Sequence, residues 1–220
     1  VSGPVTFTLA ANQTWTTGIS LTSVIGASST NTVTFQGQTG SKVMAALGMN
    51  EAVLLNGTKY VTLKDMIIDG NGFTAIRLTN NAQYINIEDN LVVADTVGTT
   101  SSVTAITATS SMTSGTGYGN NANHITISGN EIKGGYYGIV MSGSSFSSRI
   151  SDINILNNDL TLQYFYGIRC YYVEDVDIIG NSFTDARASG SYGIYAGYVF
   201  DFNIEENNLA AKTYALYLYY

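Results

Sequence analysis

A chain of 220 residues with 45% apolar and only 11% charged residues carries enough apolar content for a folded domain, despite its abundance of Gly, Ser, Thr and Asn. A net charge of −7 and a pI near 4.4, with no basic cluster to displace phosphate counterions, argue against a nucleic-acid partner. No apolar run approaches the roughly 18 residues a membrane helix needs, and a single cysteine, Cys170, permits no internal disulfide.

Residues 1–58 are the less regular part. Val5-x-Phe7-x-Leu9 and Val33-x-Phe35 alternate with period two and read as strands with one buried face. Ile19-x-Leu21 and Ala52–Leu55 read as the strands that follow them, and Trp15 as a packing residue near the end of a stack. From Val61 onward one pattern recurs, apolar-x-apolar-x-x-Asn-x-apolar, beginning at Ile85, Ile125, Ile153, Val176 and Phe202; Val61 opens the same unit with Met66 in the Asn place. The starts lie 24, 40, 28, 23 and 26 residues apart. Such a period marks stacked repeats, none of which can bury its apolar face alone. Each unit is followed by a second strand, such as Ala75-Ile76-x-Leu78 or Gly167-Ile168-x-Cys170, with no amphipathic helix between. The reading is an all-β parallel β-helix of about 8 coils, each hydrogen-bonded to the next at roughly 4.8 Å. Asn90, Asn130, Asn158, Asn181 and Asn207 are expected to stack as an inward ladder, since a side-chain amide can donate to and accept from the same residue one coil away and tolerates the left-handed conformation of a sharp corner. Residues 61–81 make a compact coil that turns at Gly70-Asn71-Gly72.

The segments Gly3–Leu9, Ile25–Gly37 and Tyr60–Asp65 resemble the opening of large secreted right-handed β-helix proteins of Bacteroidetes. The resemblance covers the chain, most specifically residues 1–70. It implies a right-handed parallel β-helix, an extracellular or cell-surface location, export by the type 9 secretion system, and parent proteins in which fibronectin-type modules and a sorting domain follow. Members of that family commonly place a short amphipathic helix before the Gly-Pro-Val segment. Here the chain begins at Val1 and ends within the strand-like Ala215–Tyr220, so residues 1–220 are expected to be one β-helix domain with uncapped ends, a fragment of a longer chain or a unit whose ends neighbours cover, head-to-tail self-association being one form of the latter.

An insertion at 93–123 stretches one interval to 40 residues, and its Ser110–Asn121 stretch is a polar, Gly-rich loop that either borders a site or is a tolerated surface insertion. Within it, Asp95-Thr96-Val97 resembles a Bacteroidetes O-glycosylation signal. Residues 124–220 form four tight coils rich in tyrosine. Tyr137, Tyr166, Tyr192 and Tyr214 are expected to stack at a corner, and Tyr171, Tyr195, Tyr217 and Tyr219 to face outward.

Chemistry has three places to sit. Outward Tyr171, Tyr195 and Tyr217 with Arg169 suit a glycan, because aromatic faces stack on pyranose rings, or a neighbouring protein module. Asp152, Asp175 and Asp201 stack one coil apart with Asp177 beside them; this column reads as a solvated acidic face, as a calcium site at Asp175, Asp177 and Asp201, or as the carboxylates of a polysaccharide lyase or glycoside hydrolase. His124, the only histidine, lacks a triad partner and a zinc-ligand spacing and reads as a surface residue, and Cys170, two residues after Ile168, reads as an inward apolar filler. The function expected is a non-catalytic extracellular β-helix module, a stalk, adhesin or filament element that binds glycan without a cofactor; the alternative is a polysaccharide-cleaving enzyme on the acidic column, with Ca²⁺ as its ion.

Overall fold

The computed structural model describes residues 1–220 and contains no helix. The chain winds into a right-handed parallel β-helix of eight coils: one strand of each coil joins an eight-stranded parallel sheet, and the other two join a fourteen-stranded sheet that closes the rest of the perimeter. A coil has three strands. In the third, Lys59–Lys64 leads through Ile67–Asp69 to Thr74–Thr79; the next repeats this as Ala82–Glu88, Leu91–Val93 and Thr104–Ala108. The short middle strand was not separable by sequence, because its single inward residue (Ile68, Val92, Ile132, Leu160 or Phe183) shows no alternation. The early coils obey the same register as the late ones, with Val5 paired to Val33 and Val33 to Val61.

The core is one cluster of 41 buried residues running along the axis, and it is built from the repeated inward positions. Ile85, Ile125 and Ile153 stack from coil to coil, as do Ile76, Ile106, Ile139, Ile168 and Ile194. Cys170 lies in this core fully buried, and burial pushes its thiol up to about 12, so it is an apolar filler with no thiolate to offer at neutral pH.

The asparagine corner is hydrogen-bonded throughout. Each Oδ1 accepts from the backbone N–H of the preceding ladder residue, as from Asn130 N to Asn158 Oδ1 at 3.1 Å, and each Nδ2 donates to the next Oδ1 and to a carbonyl of the coil before, as from Asn158 to Asn181 Oδ1 at 3.0 Å and Ile127 O at 2.9 Å. The left-handed conformation falls elsewhere than expected. The ladder asparagines have ordinary negative φ; the residue before each, Asp89, Gly129, Asn157, Gly180 or Glu206, carries φ of 53° to 68°. The corner is thus turned by one residue and satisfied by the next.

A second left-handed column bends the large sheet: Tyr60, Tyr84, His124, Asp152, Asp175 and Asp201, all with φ between 46° and 60°. Ladder pairing skips these positions, passing from Gln83–Lys59 straight to Ile85–Val61. Bulky residues seldom adopt φ > 0, and six in register mark a bend built into every coil from the third onward.

Candidate functional site

The insertion is the first correction to the sequence reading. Arg77, Thr107, Val140 and Arg169 form one column on the outward side of the third strands, yet all four are buried. Ser110–Asn121 folds back over them as a strap. Arg77 donates through Nε to Glu51 (2.9 Å) and through Nη1 to the carbonyls of Ser111 (2.6 Å) and Ser114 (3.2 Å). Thr107 Oγ1 donates to Gly115 O at 2.7 Å, and Asn121 Nδ2 to Ser142 O at 2.6 Å. A polar loop can lie on a sheet only where side chains from that sheet satisfy its carbonyls, and this column supplies them.

Beyond the strap the column becomes aromatic. Tyr118, carried by the strap, stacks on Tyr171 (centroids 5.3 Å), Tyr171 on Tyr195 (6.4 Å) and Tyr195 on Tyr217 (5.3 Å), with interplanar angles of 29°, 12° and 15°. Strand register sets the spacing, Tyr195 pairing with Arg169 on one side and Tyr217 on the other. Gly197 makes room for the Tyr171 ring, into which any Cβ there would run. In this arrangement the ring faces of Tyr171, Tyr195 and Tyr217 lie against one another instead of side by side as a platform. Arg169 is corrected too. It is 8% exposed and sits beneath the tyrosines, its Cζ 4.8 Å from the Tyr171 centroid and 5.9 Å from that of Tyr195. Its hydrogen bonds run to Ser142 Oγ at 3.3 Å and Tyr118 OH at 3.4 Å. Burial raises the pKa of the Tyr171 and Tyr195 phenols above the ordinary value.

The second candidate surface lies at the left-handed bend. Tyr60 stacks on Tyr84 (4.5 Å, 2°) and Tyr84 on His124 (4.4 Å, 2°), and His124 Nδ1 lies 2.7 Å from Asp152 Oδ2. Asn154 Nδ2 donates to Asp152 Oδ1 at 3.1 Å. Two shallow depressions of about 340 and 400 Å³ meet at Asp152 and Asn154, the first walled by the aromatic stack, the second by Asp175, Asp177 and Asp201. The structure therefore bonds His124, read from sequence as a surface residue in the same outward column, to the first of the acidic residues. The signal was present, since both occupy the position just before the first inward apolar residue of a coil. Asp175, Asp177 and Asp201 do not draw together as a metal site: no three His, Cys, Asp or Glu side chains group closely enough to hold an ion. The three line one depression, but they do not gather into the close group that the calcium reading requires.

Residues 96–220 match the profile of a family described as NosD, periplasmic copper-binding protein. The chain belongs to the NosD family. Among solved structures, it is similar to PfbA, a surface adhesin of Streptococcus pneumoniae, with a TM-score of 0.62 and 17% identity; the match covers 86% of this chain and 53% of PfbA, so the chain spans about half the length of that protein. A comparison with curated proteins finds no match. The likeness to PfbA establishes a shared β-helix and nothing finer.

The donor set of this NosD-family chain does not fit the copper of the family description. Copper favours thiolate, thioether and imidazole ligands. The one thiol is sealed in the core, the one imidazole has its Nδ1 on Asp152 and only Nε2 to offer, Met66 and Met141 are core residues, and beyond the thioethers of Met44, Met49 and Met112 no group of His, Cys and acidic side chains gathers around one point.

Proposed function

We propose that this chain is a non-catalytic extracytoplasmic β-helix module, displayed at the cell surface as an adhesin or stalk, which holds a glycan against the tyrosine column of its C-terminal coils. The observation that carries this reading is the column itself: Tyr118, Tyr171, Tyr195 and Tyr217 stack one on the next across the last coils, partly exposed, against the buried Arg169. A row of partly exposed phenols suits a ligand whose own hydroxyls repeat along a chain, and a rigid sheet holds the row with little ordering cost on binding. Membership of a family described as periplasmic, and a fold shared with a surface adhesin, support the location. The resemblance of the first 70 residues to secreted Bacteroidetes β-helix proteins belongs to the same proposal, with type 9 export as its consequence. The test is binding of the purified chain to neutral and acidic polysaccharides, with release of new reducing or unsaturated ends followed in parallel. Binding without release, lost in Tyr195→Ala and Tyr171→Ala, is the expected result; absence of binding to every polysaccharide would sink it.

The His124–Asp152 pair in its groove favours a second reading, polysaccharide cleavage on the acidic column. That reading requires turnover, and requires Asp175→Ala and Asp177→Ala to abolish it. Under the first reading both variants bind like the parent chain.

A further inference from the structure

Two arginines on one column form an internal comparison. Arg77 is fully buried and fully compensated, with the carboxylate of Glu51 at 2.9 Å and two backbone carbonyls. Arg169 is buried to more than nine-tenths and has no carboxylate: the ion pairs of the chain join Lys42, Arg77, His124, Lys133 and Arg149 to acids and leave Arg169 out. Two long bonds to neutral hydroxyls, at 3.3 and 3.4 Å, are all that the chain offers the guanidinium, and its other N–H donors have no acceptor within the protein. Ring faces at 4.8 and 5.9 Å offset part of the charge. The tyrosines supply no counter-charge: burial raises the phenol pKa of Tyr137, Tyr171 and Tyr195, and they stay neutral. A buried cation left in this state is costly unless an anion completes it.

We infer that Arg169, roofed by Tyr118 and flanked by Ser142, Tyr171 and Tyr195, is a binding site for the carboxylate of an acidic sugar. The inference rests on the glycan reading of the tyrosine column and names its ligand class. The planar guanidinium fork matches a carboxylate in a two-point contact. Ser142 Oγ and Tyr118 OH accept from the same guanidinium, which leaves their own O–H protons to donate to a carboxylate there, and Tyr171 and Tyr195 flank the group with further hydroxyls for the sugar. Tyr118 is half exposed and is held on the strap, so it is the side chain that must shift to admit the ligand.

The experiment titrates the whole chain with glucuronate, glucose and sodium sulfate at constant ionic strength, reading both heat of binding and the thermal midpoint. Glucuronate is expected to bind and to raise the midpoint by mass action, and glucose to do neither. Arg169→Gln is expected to lose on the order of tenfold or more of the glucuronate affinity, and Tyr118→Phe, which removes one hydroxyl and keeps the ring, a smaller part. In the absence of sugar, Arg169→Gln is expected to melt no lower than the parent chain, whereas Arg77→Gln melts well below it. Unchanged glucuronate binding in Arg169→Gln overturns the inference. So does a response to sulfate as large as that to glucuronate, which would make the site one for inorganic oxyanions. Binding of glucose as tight as glucuronate removes the acidic class and keeps the glycan reading. Silence towards every sugar in this assay and towards polysaccharides removes both. A ligand-free loss of stability in Arg169→Gln equal to that of Arg77→Gln also overturns it, because the charge would then be compensated within the chain.

Discussion

At the scale of single residues, the asparagine ladder shows how a buried polar side chain becomes a fold device. Asn158 accepts from Asn130 and donates to Asn181 and Ile127 O, and every one of its bonds is buried. Replacing it with alanine orphans the Asn130 backbone amide and takes the side-chain donor from Ile127 O, while Asn181 Oδ1 keeps the backbone N–H of residue 158. The expected cost is about 2–3 kcal/mol, set by unsatisfied buried groups rather than by the bonds lost. Asn207, partly exposed, can pass its bonds to water, and its replacement is expected to cost about 1 kcal/mol. Urea denaturation of the two variants measures both values; equal losses would show that burial does not set the cost. The tyrosines carry the opposite lesson. Tyr171 and Tyr195 alternate outward in sequence as any exposed aromatic would, and only the coil spacing turns their faces toward each other. Their positions were legible in the sequence; their ring orientation was not, because it depends on the neighbouring coil and on Gly197 leaving space.

Among elements, the strap decides how much surface the third strands expose. Its hold is concentrated in Arg77, whose removal leaves Glu51 as a buried unpaired carboxylate and frees the carbonyls of Ser111 and Ser114. Arg77→Gln is expected to cost about 3–5 kcal/mol, and hydrogen exchange should report faster amide exchange across 109–121 while the ladder amides stay protected. Unaltered exchange in the strap would place its anchor elsewhere. The tyrosine columns give the chain a pH limit. The phenols of Tyr137, Tyr166, Tyr171 and Tyr195 are raised above 10.0 by burial, and that of Tyr198 chiefly by its hydrogen bond with Tyr219. Above pH 10 the unfolded chain therefore releases protons that the folded chain still holds, so stability is complete below pH 10 and falls as pH climbs toward the folded values. Phenolate absorbance should rise in two stages, exposed tyrosines first, the buried ones only with loss of the folded circular dichroism. A single smooth titration with the fold intact would contradict this. Repeat spacing and the apolar-x-apolar code made the coil plan legible because every coil repeats it. The strap escaped because it occurs once, and its anchors, Arg77 and Thr107, occupy positions that alternation assigns to solvent.

For the molecule as a whole, the solenoid separates what every coil must keep from what a coil is free to vary. Inward positions, the amide corner and the left-handed bend are repeated along the axis, so a family profile recognises them. Outward columns are not repeated: the bend column changes from Tyr to His to Asp, and the third-strand column from Arg through Thr and Val to Tyr. The glycan proposed here would be read by those columns, and its chemistry therefore need not follow the family. Copper is the sharpest case. A copper centre needs several soft or imidazole donors within reach of one ion, and here Cys170 is sealed and protonated, with its thiol raised to about 12, His124 is the one imidazole, and the accessible soft donors besides it are the thioethers of Met44, Met49 and Met112. Loaded with excess copper and passed through desalting in the presence of a weak chelator, the chain is expected to retain less than one equivalent, and His124→Ala to lose whatever remains. Retention of a full equivalent that survives His124→Ala would mean that donors spread over several coils can gather around the ion, and the outward columns would then have to be read as ligands the family does share.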